Sequence, residues 1–133
     1  MQRLTSLLSN EYLLNSNYQE QDINLLLTIT DKDIFMHLYQ LMTNEKSLSS
    51  KHHKTDVKII SKVTDAKKRG LLLLIATNEY NLNSPNHDFD MHYITMLNLD
   101  DFNKENINTL YYYLFNKVGI NDKSHIESLI KLS

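Results

Sequence analysis

The densest group of chemically capable side chains is His87-Asp88-Phe89-Asp90-Met91-His92, two imidazoles and two carboxylates within six residues. These are ligand types for zinc or manganese. Their spacing matches no metal motif with known mechanics, so the segment is read as a polar hairpin tip with His92 in a strand and no metal bound. His52 and His53 are adjacent, so their rings diverge on a helix and add to a basic patch when protonated. His37 lies beside an apolar stripe and is read as structural. No Ser, His and Asp grouping can be named a triad, because a triad is defined by geometry. Asp100 and Asp101 fit a helix cap better than a catalytic carboxylate pair. The chain has no cysteine, which removes disulfides, thiolate zinc sites and a cysteine nucleophile. Its two glycines are too few for the phosphate-cradling loops of nucleotide-binding proteins. No enzyme activity and no cofactor are expected.

Charge is distributed unevenly. Residues 1–45 carry two cations against six acids, residues 46–69 carry eight cations against two acids, and residues 70–133 carry four lysines against eight acids. A basic block between two acidic ones marks a surface for a polyanion, most often nucleic acid. The competing reading is a solvated helix face that pairs with its acidic flanks.

Elements must position these groups. At 133 residues with 41% hydrophobic and 23% charged residues, the chain suits one globular domain over 1–133. We read no internal repeat, low-complexity tract or linker. Met1 to Leu14 is read as a helix, and 22–29 as either a strand or a helix start. Ile34, Phe35, Leu38, Leu41 and Met42 fall on one helical face and predict a helix over 30–45. Residues 46–54 lose periodicity. Residues 55–69 are read as a basic helix ended by Gly70, with Lys67, Lys68 and Arg69 suiting its C-terminal dipole. Leu71 to Thr77 and Met91 to Leu99 read as strands of an antiparallel hairpin around a loop at 78–90. Asp101 to Val118 shows the strongest helical period, and Asp122 to Leu132 makes a last short helix.

This order of elements resembles a winged helix-turn-helix. The stretch Val63-Thr64-Asp65-Ala66-Lys67-Lys68-Arg69-Gly70-Leu71 looks like a recognition helix running into the wing in MarR-type regulators, including the SarA branch. Residues 30–44 look like the helix before the DNA-reading pair. Ile94 to Leu99 looks like the second wing strand leading to a dimerisation helix. The resemblance spans residues 30–118. It implies an α+β, mainly helical winged-helix-like domain with one antiparallel β-hairpin and a long C-terminal helix. It further implies a homodimeric, DNA-binding transcriptional regulator whose basic helix at 55–69 enters the major groove. Lys51, Lys54, Lys58, Ser61, Lys62, Lys68 and Arg69 are its expected DNA contacts.

Tyr111, Tyr112 and Tyr113 put aromatic rings on three sides of one helix. Tyrosine is favoured at protein interfaces, so these three are the expected interface residues. They serve equally in a second reading: a small protein-binding inhibitor, such as an immunity protein or a mobile-element antagonist, that blocks a partner protein. The longest apolar run, Leu71 to Ala76, falls far short of the roughly 20 residues a membrane span needs. No signal peptide is visible. A cytoplasmic location without membrane contact is expected.

Overall fold

The computed structural model describes residues 5, 7 and 9–115. In chain order the helices are α1 (Glu11–Leu14), α2 (Gln19–Thr28), α3 (Lys32–Met42), α4 (Glu45–Leu48), α5 (His53–Lys62), α6 (Ala66–Thr77), α7 (Glu79–Leu82) and α8 (His87–Met96). A 3₁₀ turn, Leu99–Asp101, leads to α9 (Lys104–Phe115). No strand occurs among the described residues. The expected α+β class is therefore overturned, and the β-hairpin and winged helix go with it.

The helices repeat. α1, α4 and α7 are each four residues long, and α2, α5 and α8 are each ten. Each set is offset by 34 residues, so the reading of a chain without internal repeats is also corrected. The capping residues carry the same period. Asn10, Asn44 and Asn78 cap the short helices through side-chain oxygens, accepting from the amides of Leu13, Ser47 and Asn81 at 3.1, 2.9 and 3.3 Å. The Ser16, Ser50 and Ser84 hydroxyls then accept from the amides of Tyr18, His52 and Asn86 at 3.2, 3.0 and 3.1 Å. These side chains replace backbone partners that a helix start lacks, so the turn between short and long helix is built the same way each time.

The break after each ten-residue helix also recurs. Ile29, Val63 and Leu97 are extended C-caps. Asp31 then caps α3, and Asp65 caps α6 by accepting from the Lys67 and Lys68 amides at 2.9 and 3.2 Å. The expected single helix over 55–69 is thus two helices with a turn at 63–65. Gly70 lies inside α6 rather than ending a helix.

Burial explains why Leu71 to Thr77 is helical although its sequence reads as a strand. α6 packs against α3 on one side and α8 on the other, with α5 and α7 also touching it. Leu71, Leu72, Leu73, Ile75 and Ala76 are all buried. A helix buried nearly all round shows a continuous apolar run and no period. α8 is buried on one side, through His87, Asp90, Met91, Ile94 and the capping Leu97, but its inward face includes polar His87 and Asp90 and its outward face apolar Phe89 and Met96, which blurs the helical period. Leu26, Ile60 and Ile94 occupy one position in successive repeats and are essentially inaccessible. Burying each such side chain contributes roughly 1.5–3 kcal/mol. The expected helix over 30–45 is present as α3, with its predicted inward face Phe35, Leu38, Leu41 and Met42 buried. Of the region 22–29, residues 22–28 are helical within α2 and Ile29 is its extended C-cap. The expected helix at 122–132 lies outside the described residues, as does part of that over 1–14.

Candidate functional site

Two kinds of site recur with the repeat: a buried joint and a surface groove. The joint is a histidine at the start of one long helix bonded to an aspartate in the previous one. His53 Nε2 lies 2.7 Å from Asp22 Oδ2, and His87 Nε2 lies 2.7 Å from Asp56 Oδ2. Both histidines are fully buried, as is Asp56, and Asp22 is nearly so. Each bond spans 31 residues and ties consecutive repeats together.

The other ring nitrogen distinguishes the joints. His53 Nδ1 meets the Ser47 hydroxyl at 3.0 Å. Asp22, His53 and Ser47 thus form the aspartate–histidine–serine chain of a hydrolytic triad, a grouping invisible in the sequence because its members sit 6 and 31 residues apart. Chemistry by this chain is blocked: Ser47 and His53 are both wholly inaccessible, leaving no surface for a substrate. At the second joint His87 Nδ1 faces the Asn81 carbonyl at 2.9 Å, and no nucleophile stands there. The recurrence with and without a hydroxyl marks both as structural ties.

Proton content follows from the partners. A hydroxyl can donate, so a neutral His53 can accept from Ser47 at Nδ1 and donate to Asp22 at Nε2. A carbonyl can only accept, so His87 must donate at Nδ1. Its bond to Asp56 then requires a second proton, shared between His87 and Asp56. Burial raises Asp56 above the usual carboxylate range, more than its bond to His87 lowers it. Burial alone would lower His87, but the bond to Asp56, that carboxylate's charge and the Asn81 carbonyl outweigh it and raise His87. Asp56 Oδ1 has no hydrogen-bond partner, consistent with a carboxyl that keeps its proton.

The histidine–aspartate segment at 87–92 is helical rather than a hairpin tip. His87 and Asp90 turn inward, whereas Asp88 and His92 are exposed, so the four do not converge. Instead His52 Nδ1 pairs with Asp88 at 3.0 Å, and the His52 ring stacks on His87 with centroids 4.3 Å apart. His52, His87 and Asp88 could be drawn together around a cation. They fit one poorly, because both His87 nitrogens are already committed to the joint.

The grooves lie between successive short helices. The first, of about 500 Å³, runs between α1 and α4 and is lined by Glu11, Tyr12, Asn15, Glu45, Leu48 and Ser49, among others. The second, of about 770 Å³, runs between α4 and α7 and is lined by the corresponding Glu45, Lys46, Ser49, Glu79, Leu82 and Asn83. Glu11, Glu45 and Glu79 hold the same repeat position. Their signal was legible as Asn-Glu at 10, 44 and 78, each with Leu four residues after the Asn and Ser two beyond that.

The expected DNA contacts are split. Lys54, Lys58 and Lys62 are exposed and follow helical spacing along α5, while exposed Lys51 lies in the turn before it and lines the α4–α7 groove. Ser61 donates to the Lys58 carbonyl at 2.8 Å. Lys68 is held at the Thr95 carbonyl at 3.0 Å. Arg69 is 2% exposed. It donates to the Val63 and Thr64 carbonyls, to His37 Nδ1 at 2.8 Å and to Asp33. It closes the end of α5 and cannot reach a phosphate. With the wing absent and Arg69 internal, the architecture that gave these residues a DNA role is gone. Of the expected interface tyrosines, Tyr112 is 57% exposed on α9. The side chains of Tyr111 and Tyr113 lie outside the described set. No described helix is long and apolar enough to cross a membrane. Comparison with family models, characterised proteins and solved structures gives no match for this chain.

Proposed function

We propose that the chain is a protein-binding module built from stacked 34-residue helical units, acting by occupying a partner's surface rather than by catalysis. The observation that carries this reading is the recurrence of one groove, with corresponding lining residues, at successive repeat junctions. Stacked helical units present extended surfaces, and the same residue position then meets a partner at regular intervals. The Ser–His–Asp chain offers no alternative, since it is sealed. The reading keeps the partner-blocking class suggested by small size and acidic flanks, and moves its surface to the short-helix edge.

The test is affinity capture on the purified chain, followed by calorimetry with each captured protein in pure form. The expected result is a saturable protein–protein complex that survives nuclease treatment. Capture abolished by nuclease, or yielding nucleic acid alone, would overturn the reading.

A further inference from the structure

The two grooves differ in charge: Lys46 and Lys51 line the one between α4 and α7, where Tyr12 and Asn17 stand in the one between α1 and α4, and that difference identifies an occupant. In the groove between α4 and α7, Lys46 Nζ lies 3.2 Å from Glu79. The chain thus supplies a cation to the carboxylate at that wall. In the groove between α1 and α4, Glu45 takes the place of Glu79 and Tyr12 takes the place of Lys46. Among the described residues Glu11 and Glu45 have no ion-pair partner and no cation lines this groove. Tyr12 is 49% exposed. A tyrosine face flanked by two carboxylates suits a guanidinium or ammonium, which stacks on the ring while pairing with the acids. Asn15 beside them is exposed, and its amide makes no side-chain hydrogen bond among the described residues, so it can pair with a peptide backbone.

We propose that the α1–α4 groove binds a basic side chain, arginine above lysine, presented by an extended segment of a partner protein. The α4–α7 groove is the same site already occupied by the chain's own Lys46. This rests on the protein-binding reading and adds the surface and the partner's chemistry. Arginine is favoured because its planar fork can engage a carboxylate with two donors and stack on Tyr12 at once.

The test uses amide NMR with a capped octapeptide of alternating arginine and serine, and the same peptide with citrulline in place of arginine. Shifts are expected at Asn15, Ser16, Glu45 and Ser49, weakening with salt as exposed charge pairs do. The citrulline peptide should bind on the order of tenfold more weakly, because it keeps the shape and loses the charge. Tyr12→Lys should give Glu45 the internal pair seen at Lys46–Glu79, remove the stacking ring, and abolish the shifts. Lys46→Tyr combined with Lys51→Asn, which gives the second groove the Tyr12 and Asn17 of the first, should free Glu79 and add shifts near it. All these sites are exposed, so the spectra should stay folded. Equal binding of the citrulline peptide, shifts confined to the α5 lysines, or unchanged binding by Tyr12→Lys would each overturn the inference. If a captured partner still binds the Tyr12→Lys protein with full affinity, the groove assignment falls and the protein-binding reading stands. If no protein partner is captured, the reading beneath it falls as well.

Discussion

The two joints share a backbone and one 2.7 Å histidine–aspartate bond, yet they differ in how many protons they need. At the first joint a serine hydroxyl faces the ring, and a neutral histidine satisfies every partner. At the second a carbonyl faces it, and the pair must carry one proton more. A single residue position, Ser47 against Asn81, changes the electrostatics of a tie without changing its geometry. The repeat therefore conserves the link between units while leaving its pH response open to local sequence.

Removing a ring breaks this comparison most severely. His87→Ala empties a fully buried ring site and removes its bond to Asp56, which costs about 3–5 kcal/mol through lost packing and an unsatisfied buried carboxyl. That is a large share of the roughly 5–15 kcal/mol available to a domain. Urea unfolding should show this loss. A change below about 1 kcal/mol, which is the worth of one ordinary hydrogen bond, would mean that the joint is incidental.

Changing pH should separate the joints without mutation. His87 is raised above 6.5, so the folded chain binds more protons than the unfolded one between 6.5 and that raised value. Its stabilisation is full below 6.5 and is lost as pH rises through the folded value. Asp56 is raised above 3.8 and acts with the same sign: its contribution is full below 3.8 and gone above its folded value. His37 opposes them. Burial first, then the Arg69 charge, lowers it, so its contribution is full above 6.5 and lost as pH falls through its folded value. Amide hydrogen exchange resolves these effects by region. After correction for intrinsic rates, α8 should lose protection relative to α2, which only the first joint engages, as pH rises above 6.5 through the folded value of His87. Parallel protection of the two helices across that range would contradict the extra proton.

Ser47→Ala sharpens the same contrast from the other side. It removes the hydroxyl that meets His53 Nδ1 inside a sealed site, at a cost of about 1–3 kcal/mol. It should also leave His53 with one nitrogen unsatisfied in its neutral form, which ring-nitrogen NMR would detect. An unfolding midpoint equal to that of the unaltered chain would show that the hydroxyl does not serve the joint.

What the sequence disclosed follows from burial. α3 is half covered, so Ile34, Phe35, Leu38, Leu41 and Met42 print a clean helical stripe, and that element was legible. α6 is covered on several sides, so its apolar run imitates a strand, and α8 carries polar residues inward and apolar Phe89 and Met96 outward, so its period is blurred. The winged-helix resemblance was assembled from that imitation. The repeat was hidden for a different reason. Its shared residues are caps and ties, Asn10, Asn44 and Asn78 or Asp22, Asp56 and Asp90, scattered among positions that vary freely. Comparison of the chain with itself at a fixed offset finds them, whereas a search for hydrophobic periods does not. The joints were beyond reach in detail, because no local pattern says that Asp22 meets His53.

The smallest expected effect tests whether the two units share one backbone at a position where their residues differ. Gly70 in α6 corresponds to Met36 in α3, 34 residues earlier. Met36 is an exposed residue in an ordinary helix. A Cβ added at Gly70 meets nothing within 4 Å, so the glycine is not required by close packing. Glycine inside a helix costs about 0.5–1 kcal/mol relative to alanine, chiefly through the freedom it gives the unfolded chain. Gly70→Ala should therefore stabilise the protein by about that amount, read as a higher urea midpoint with an unchanged slope. Its effect should add to that of Ser47→Ala if the two sites do not interact. A destabilised Gly70→Ala protein would show that α6 does not follow the backbone of α3 at this point, and the correspondence of the two units would have to be confined to their caps and ties.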